Sequence, residues 1–241
     1  RLIKRIINMN IVITGGSKGM GKAMAEKFAS ANHKIFICSR TAKDLIETVN
    51  ELRARYNAAV EYFVADLSKK EQVLQFALWL LEKKKDIDVL INNAGLFVPG
   101  SVYNEPEENL EQMIEVNLYS AYHLTRALIP KMIERKSGHI FNMCSIASFK
   151  AYANGGSYSI SKFALMGFSK NLREEMKPFH IKVTAVYPGA VYTASWEGAG
   201  YTPQRMIDTK DIADLVYAAS QLSVQACVED IVIRPVLGDL P

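Results

Sequence analysis

The 241-residue sequence has only three cysteines, Cys38, Cys144 and Cys227, and no CxxC pair. That excludes a disulfide framework, and buried free thiols in a reducing cytoplasm are the expectation. Four scattered histidines form no HExxH and no paired spacing, so no metal centre is expected. No apolar stretch approaches the ~20 residues that a membrane-spanning helix needs. Charge of one sign is also scarce. The net charge is +4, and the one dense basic run, Lys83–Lys85, is flanked by Glu82 and Asp86. It reads as a solvated helix end and not as a nucleic-acid surface. Linkers rich in Pro, Gly or Ser are missing, as are repeats, which argues against several domains. The start, RLIKRIINMNIVITGG, has basic residues before apolar ones but no small-residue cleavage site. It reads as a short leader before a first strand, with Met9 a second plausible start.

What is present is an alternation. Apolar, β-branched runs recur at 11–14, 34–39, 60–65, 89–93, 139–143, 181–187 and 229–235. Between most of them, as in GKAMAEKFASA, DLIETVNELRARY and QVLQFALWLLEKK, apolar residues return at three-to-four spacing. Strands alternating with helices specify βαβ units and a parallel sheet, and near-continuous apolar strands fit a sheet covered on both faces. The pattern specifies an α/β protein: a single doubly wound Rossmann domain over 1–241, with a mostly parallel seven-stranded sheet and helices on both faces. The stretch at about 190–209 reads as a long loop within it. Ligands of such sheets bind beyond the carboxyl ends of the strands, so the strand ends carry the functional information.

TGGSKGMGKA follows the first strand and opens a helix. Gly15, Gly19 and Gly21 permit a tight turn and close approach to a phosphate, and a helix N-terminus adds free N–H groups and a positive dipole. Read from Gly16, the stretch is one residue short of a P-loop: Ala23 stands where a Mg²⁺-ligating hydroxyl belongs. Asp88 begins its strand instead of ending it, which also argues against a nucleotide hydrolase. A dinucleotide loop fits better. The second strand ends in CSRT, with Arg40 coming 19 residues after Gly21. An acid there takes the ribose 2′-OH of NAD, whereas an arginine accommodates a 2′-phosphate. Lys18 adds a second cation, so NADP(H) is expected. Asp66, at the end of the third strand, suits an adenine amino group or an N-cap for the next helix. Asn92–Gly95 ends the fourth strand, on the adenosine side of the groove.

YSISK sets Tyr158 and Lys162 one helical turn apart. A nearby cation favours a phenolate and makes tyrosine a usable proton donor and acceptor. Chance supplies roughly one such pair at this composition, so the motif alone decides nothing. Its company decides. TGxxxGxG, NNAG, Asn117 in a long helical stretch, Ser145 thirteen residues before Tyr158, YxxxK, and YPGAVYT (Tyr187–Thr193) occur in that order. Together they resemble the classical short-chain dehydrogenase/reductases over essentially the whole chain, from Asn10 to about Pro235. Cys144 is a small departure, since the family usually has Ser or Thr there.

That resemblance implies an NADPH-dependent oxidoreductase that reduces a carbonyl of a small molecule to an alcohol. Tyr158 would be the general acid. Lys162 would lower its pKa and hold the nicotinamide ribose. Ser145 would hydrogen-bond the carbonyl as it becomes an alkoxide, and Asn117 would hold a water that completes a proton relay to Lys162. Contacts to NADP(H) would come from Gly15, Ser17, Lys18, Gly19, Met20, Gly21, Ser39, Arg40, Asp66 and Leu67. Asn93, Ala94, Gly95, Pro188, Gly189, Val191 and Thr193 would add to these, together with Tyr158 and Lys162 themselves. Phe97, Phe149, Tyr152, Tyr192 and Trp196 are the expected substrate walls, with Gly198 and Gly200 letting the loop move as a lid. PGAVYTASW and the terminal IRPVLGDLP look more like the sepiapterin reductase branch than like 3-oxoacyl-carrier-protein reductases, which stay the alternative. In that branch an acidic residue anchors a pterin, and Asp239 is the candidate. A non-catalytic NADP-sensing protein would share the fold but would usually lose a tetrad member. By analogy with the family the chain pairs through helices near 107–134 and 157–177 as a homodimer or homotetramer. No nucleic-acid or membrane partner is expected, and the location is cytoplasmic.

Overall fold

β1 (Asn10–Thr14) leads through a glycine loop into α1 (Gly19–Ser30), and the pattern repeats. Next come β2 (Lys34–Ser39), α2 (Ala42–Tyr56), β3 (Val60–Val64), α3 (Lys70–Glu82) and β4 (Val89–Asn92). The second half holds α4 (Glu108–Ile114), a π-helical turn at Glu115–Tyr119, α5 (Ser120–Arg135), β5 (Gly138–Met143) and α6 (Gly156–Met176). β6 (Ile181–Pro188), α7 (Thr209–Ser220) and β7 (Asp230–Ile233) complete it. The structure, a computed structural model, describes residues 8–83, 86–193 and 200–240.

The strands pair in the order β3-β2-β1-β4-β5-β6-β7, and every pair is parallel. The sheet expected to be mostly parallel is wholly so among the described strands. Period-two alternation divides its side chains between the faces. Ile11 and Ile13 of β1 join Met24 and Phe28 of α1, Leu45 and Leu52 of α2, and Ile212 and Val216 of α7. Val12, between them, joins Phe76 and Leu80 of α3, Leu124 and Leu128 of α5, and Leu172 of α6. Each such large side chain taken out of water contributes about 1.5–3 kcal/mol. Strands that are apolar at every position therefore specify a layer of helices on each face. β7 ends at Ile233, short of the expected 229–235 run, because Pro235 has no N–H to give a ladder.

The chain runs outward from β1 to β3 and then returns to lay β4 on the other side of β1. That reversal opens a crevice beyond the carboxyl ends of β1 and β4, where Gly15 and Asn93 lie. No helix among the described residues is long and apolar enough to cross a membrane. No group of His, Cys, Asp and Glu among them could hold a metal ion.

Candidate active site

The crevice floor is a glycine cradle. Gly15 and Gly19 have φ of +64° and +52°, in the left-handed region that favours glycine. A Cβ on Gly21 would lie 2.1 Å from the Gly15 carbonyl oxygen, and one on Gly19 would lie 3.2 Å from Thr193 Cγ2. Only glycines let the loop turn this tightly, and Thr193 faces it across the crevice. The two strand ends are locked together. Thr14 Oγ1 accepts from the N–H groups of Asn93 and Ala94, each at 2.9 Å. Asn93 Nδ2 donates to the carbonyls of Thr14 and Gly15 at 2.9 and 3.2 Å. α1 has no side-chain cap, so its first N–H groups are open to a ligand. Ser39 Oγ and Asn93 Oδ1 are buried with no hydrogen-bond partner among the described residues, as expected of groups that need a ligand or water. The cradle, the open helix terminus and the orphaned oxygens together fit a dinucleotide.

The other expected contacts surround this cradle. The Ser17 carbonyl accepts from the Thr48 hydroxyl at 3.0 Å, and Met20 packs on the core beneath. Gly189 N–H donates to the Ile233 carbonyl at 2.8 Å, and Val191 bridges to Ile207, which pins Pro188–Thr193 beside the loop. Leu67 is buried at the end of β3. Arg40 is exposed at the end of β2, near an α2 N-terminus whose cap residue, Thr41, makes no side-chain bond.

Lys18 pairs with Asp44 at 2.8 Å, because the first turn of α2 brings that carboxylate to the loop. Two expectations need correction. Asp66 does not cap α3. Its Oδ1 accepts from Ser68 N–H at 3.0 Å, forming a turn that ends before the helix, whose N-cap is Lys69. Asn92 does not line the groove. Its amide points into the helix layer and donates to Thr125 Oγ1 at 3.0 Å and Asn142 Oδ1 at 2.8 Å.

Ser145, Asn117 and the α6 pair Tyr158 and Lys162 come from three elements and meet beside the end of β4. Ser145 follows β5 and opens a single 3-10 turn, where it forms a reciprocal capping box with Ser148. That box fixes the serine without consuming its hydroxyl proton, because Oγ acts as acceptor, from Ala147 N–H at 3.1 Å. Tyr158 and Lys162 lie in the first turns of α6. Lys162 is buried, donates to the Met143 carbonyl at 2.8 Å and lies 5.8 Å from the Tyr158 ring centre. Burial pulls its ammonium down to about 8, against a small opposing effect of Cys144. Asn117 sits in the π-helical turn between α4 and α5, a local irregularity common at functional sites. Its side chain clamps the backbone of Leu96: Oδ1 accepts from the N–H at 2.7 Å, and Nδ2 donates to the carbonyl at 2.9 Å and to Ser161 Oγ at 2.8 Å. Both amide protons are used, and one lone pair of Oδ1 is left for a water. The Cβ position of Gly95 lies 3.4 Å from Asn117 Oδ1 and 3.7 Å from Lys162 Nζ, so the two groups face one point.

The phenol behaves differently from the sequence expectation. Burial raises the Tyr158 pKa above the usual tyrosine value, and the Ser145 hydroxyl beside it only partly offsets this. Spacing suggested a lysine-activated phenolate. In the folded chain desolvation wins, and Tyr158 is a protonated acid at neutral pH. Cys144, next to Ser145, is inert, its thiol pushed up to about 11 by burial.

Aromatic side chains flank the phenol. Phe97 stands edge-on to Tyr158, with ring centres 4.9 Å apart, and remains 44% exposed. Tyr152 lies near enough for the two tyrosines to interact, and its pKa is raised to about 12, mainly by burial. Phe149 leans on Tyr187 at 5.3 Å. Tyr192 is half-exposed and tied by its N–H to Ile207. Trp196 and Gly198 lie outside the described residues; Gly200, with φ +78°, is within them. Asp239 reaches this rim. Its Oδ2 accepts from Lys150 Nζ at 3.1 Å and Arg234 Nη2 at 2.8 Å, while Oδ1 is buried without a partner among the described residues. Arg205 donates to the carbonyls of Gly238 and Asp239 at 2.9 and 3.0 Å, holding the tail in place.

Sequence reasoning missed Thr14, Ser161, Glu105, Lys150, Arg205 and Arg234. Thr14 had a signal available, as the residue just before the glycine loop, and Arg234 lies only five residues from Asp239. The others act through contacts between residues far apart in sequence.

The family model for short chain dehydrogenase matches residues 9–202. The chain is 35% identical to a sepiapterin reductase of Chlorobaculum tepidum over 95% of its own length and 97% of that protein's. Among solved structures it resembles a metagenomic short-chain oxidoreductase in complex with NADP, with TM-score 0.84, 29% identity, and 96% and 98% of the two chains covered. It also resembles an alcohol dehydrogenase of the archaeon Thermococcus sibiricus complexed with 5-hydroxy-NADP, with TM-score 0.89, 27% identity, and 97% and 99% covered.

Proposed function

The chain belongs to the short-chain dehydrogenase family, and on that premise we propose that it uses NADPH to reduce the carbonyl of a small, flat molecule such as sepiapterin. The observation that carries this reading is the convergence of Ser145, Tyr158 and Lys162 beside a glycine cradle. NADPH, when bound, supplies the hydride. Gly15 to Gly21 and the α1 N-terminus would take its pyrophosphate, Asp66 and Asn93 to Gly95 its adenosine, and Arg40 its 2′-phosphate. Pro188 to Thr193 would close over it.

The chain's own chemistry is a proton transfer. Ser145 offers a hydroxyl proton to the carbonyl oxygen as negative charge grows there. The Tyr158 O–H bond breaks and its proton forms the alcohol. The phenolate left behind is stabilised by the nearby ammonium of Lys162, which uses one donor on Met143 and keeps two. The proton returns through Lys162 and a water at Asn117.

Substrate choice rests on the rim. Phe97, Phe149 and Tyr152 suit a planar ring. The Oδ1 of Asp239, without a partner among the described residues, suits an amino-pyrimidine donor, and Lys150 and Arg234 hold the other carboxylate oxygen in place. Exposed Leu110 and Tyr119 on the α4–α5 rod, and Ile160 and Phe163 on α6, support a homodimer or homotetramer built on those helices. The test sets sepiapterin beside an acetoacetyl thioester, following NADPH oxidation. Faster turnover of sepiapterin by about tenfold or more is expected, and Asp239→Asn should narrow that margin. Turnover of the thioester alone would mean an enzyme of acyl-chain reduction.

A further inference from the structure

α6 carries both Tyr158 and Lys162, and its first turn cannot cap itself. Its N-cap is Gly155, followed by Gly156, and neither has a side chain to satisfy the free N–H groups of a helix start. Glu105, from the loop between β4 and α4, supplies the cap. Its Oε1 accepts from Ser157 N–H at 3.1 Å and from the Ser157 hydroxyl at 2.5 Å, and Oε2 approaches the same N–H at 3.4 Å. Ser157 is buried and immediately precedes Tyr158. A carboxylate at a helix N-terminus also complements the helix dipole.

The surroundings leave little room for this contact to shift. A Cβ on Gly100 would lie 2.7 Å from Glu105 Cβ. One on Gly156 would lie 2.5 Å from the Gly100 carbonyl and 2.8 Å from Glu105 Oε2. Without those Cβ atoms the two backbones meet directly: Gly100 N–H donates to the Asn154 carbonyl at 3.1 Å, and Ser101 Oγ donates to Asn154 Oδ1 at 2.9 Å. The same loop carries Phe97, whose ring stands edge-on to Tyr158. One carboxylate therefore joins the substrate wall to the helix turn that bears the proton donor.

We propose that Glu105 is a positioning residue for Tyr158: by capping α6 through Ser157 it sets where the phenol hydroxyl and the Phe97 ring stand relative to a bound carbonyl. This rests on the reading of Tyr158 as the proton donor, and it goes beyond that reading by assigning a residue outside the tetrad. A misplacement of about 1 Å at a reacting group costs up to roughly 10²-fold in rate. Glu105 touches none of the groups assigned to the cofactor, so its removal should act on turnover and not on NADPH binding.

The experiment compares Glu105→Ala, Glu105→Gln, Glu105→Asp, Ser157→Ala and the Glu105→Ala/Ser157→Ala double variant. For each, kcat, the NADPH dissociation constant and the melting temperature are measured, with Tyr158→Phe as control. Glu105→Ala should lower kcat by roughly tenfold to a hundredfold, with NADPH affinity within about twofold of the parent. Glu105→Gln keeps the Oε1 acceptor and should restore most of the rate. Glu105→Asp keeps the charge but is too short and should not. The double variant should be no slower than Glu105→Ala, which already breaks both bonds to Ser157, whereas Ser157→Ala breaks only the hydroxyl's. Should Glu105→Ala fail to fold, Ser157→Ala, which keeps the N–H donor, carries the test with the same split between kcat and NADPH affinity. Unchanged kcat in folded Glu105→Ala would overturn the proposal. So would rescue by Asp but not Gln, or an equal loss of NADPH affinity. Full turnover in Tyr158→Phe would instead overturn the reading of Tyr158, a separate failure visible in the same data.

Discussion

Tyr158→Phe is expected to lower carbonyl reduction by roughly 10²–10⁴-fold in kcat while NADPH still binds within a few-fold of the parent. The substitution deletes one oxygen and one proton and keeps the ring. The edge-on contact with Phe97, at 4.9 Å between ring centres, survives, and so does the packing of α6. No neighbour replaces the lost proton. The Ser145 hydroxyl is a far weaker acid than a phenol. The ammonium of Lys162 donates to the Met143 carbonyl at 2.8 Å and lies 5.8 Å from the Tyr158 ring centre, where it stabilises a phenolate but cannot stand in for the phenol. Steady-state kinetics with a fluorescence titration of NADPH checks the split. A variant that keeps full turnover would remove Tyr158 from the chemistry.

The second large effect is on coenzyme choice. Arg40→Asp combined with Lys18→Ala is expected to shift the NADPH/NADH ratio of kcat/KM by roughly 10²-fold toward NADH, since each charged hydrogen bond to a phosphate contributes about 1.5–3 kcal/mol. Most of the shift should come from Arg40. It stands exposed at the tip of β2, near the uncapped N-terminus of α2 and the Ser39 hydroxyl, which has no partner among the described residues. Lys18 shares its charge with Asp44, so Lys18→Ala alone should move the ratio several-fold less. The new carboxylate at position 40 would accept from a ribose 2′-OH and repel a 2′-phosphate. Kinetics with both coenzymes on the single and double variants decides it. An unchanged ratio would mean that the 2′-phosphate is read elsewhere.

The sheet was legible because parallel strands covered on both faces are nearly continuously apolar, as β1, β2 and β4 are, and because similar runs recur between helical stretches even at the half-exposed edge strands β3 and β7. The cradle was legible because Gly15, Gly19 and Gly21 are required by backbone geometry, and geometry of that kind leaves a trace in sequence. Burial leaves a weaker trace. The spacing of Tyr158 and Lys162 suggested an acidified phenol, but the cost of desolvating a phenolate depends on what packs around it, and the direction reversed. Asp66 was read as an adenine acceptor or a helix cap, and the cap fails because α3 begins only at Lys70. Contacts between distant segments left no trace. Glu105 and Ser157 are 52 residues apart, and Asn117 and Leu96 are 21 apart. Nothing in either local sequence announces the other.

The most direct test of the Tyr158–Lys162 pair is the pH dependence of kcat for carbonyl reduction at saturating NADPH, from about pH 6 to about pH 10. Burial raises the Tyr158 pKa above the usual tyrosine value, while Lys162, lowered to about 8, loses its positive charge within this range. The charge that stabilises the departing phenolate is therefore present below pH 8 and lost above it. The predicted profile is level up to about pH 8 and then falls about tenfold for each further pH unit. A profile that stays level to pH 10, or rises, would contradict the role given to Lys162 and the proton transfer built on it.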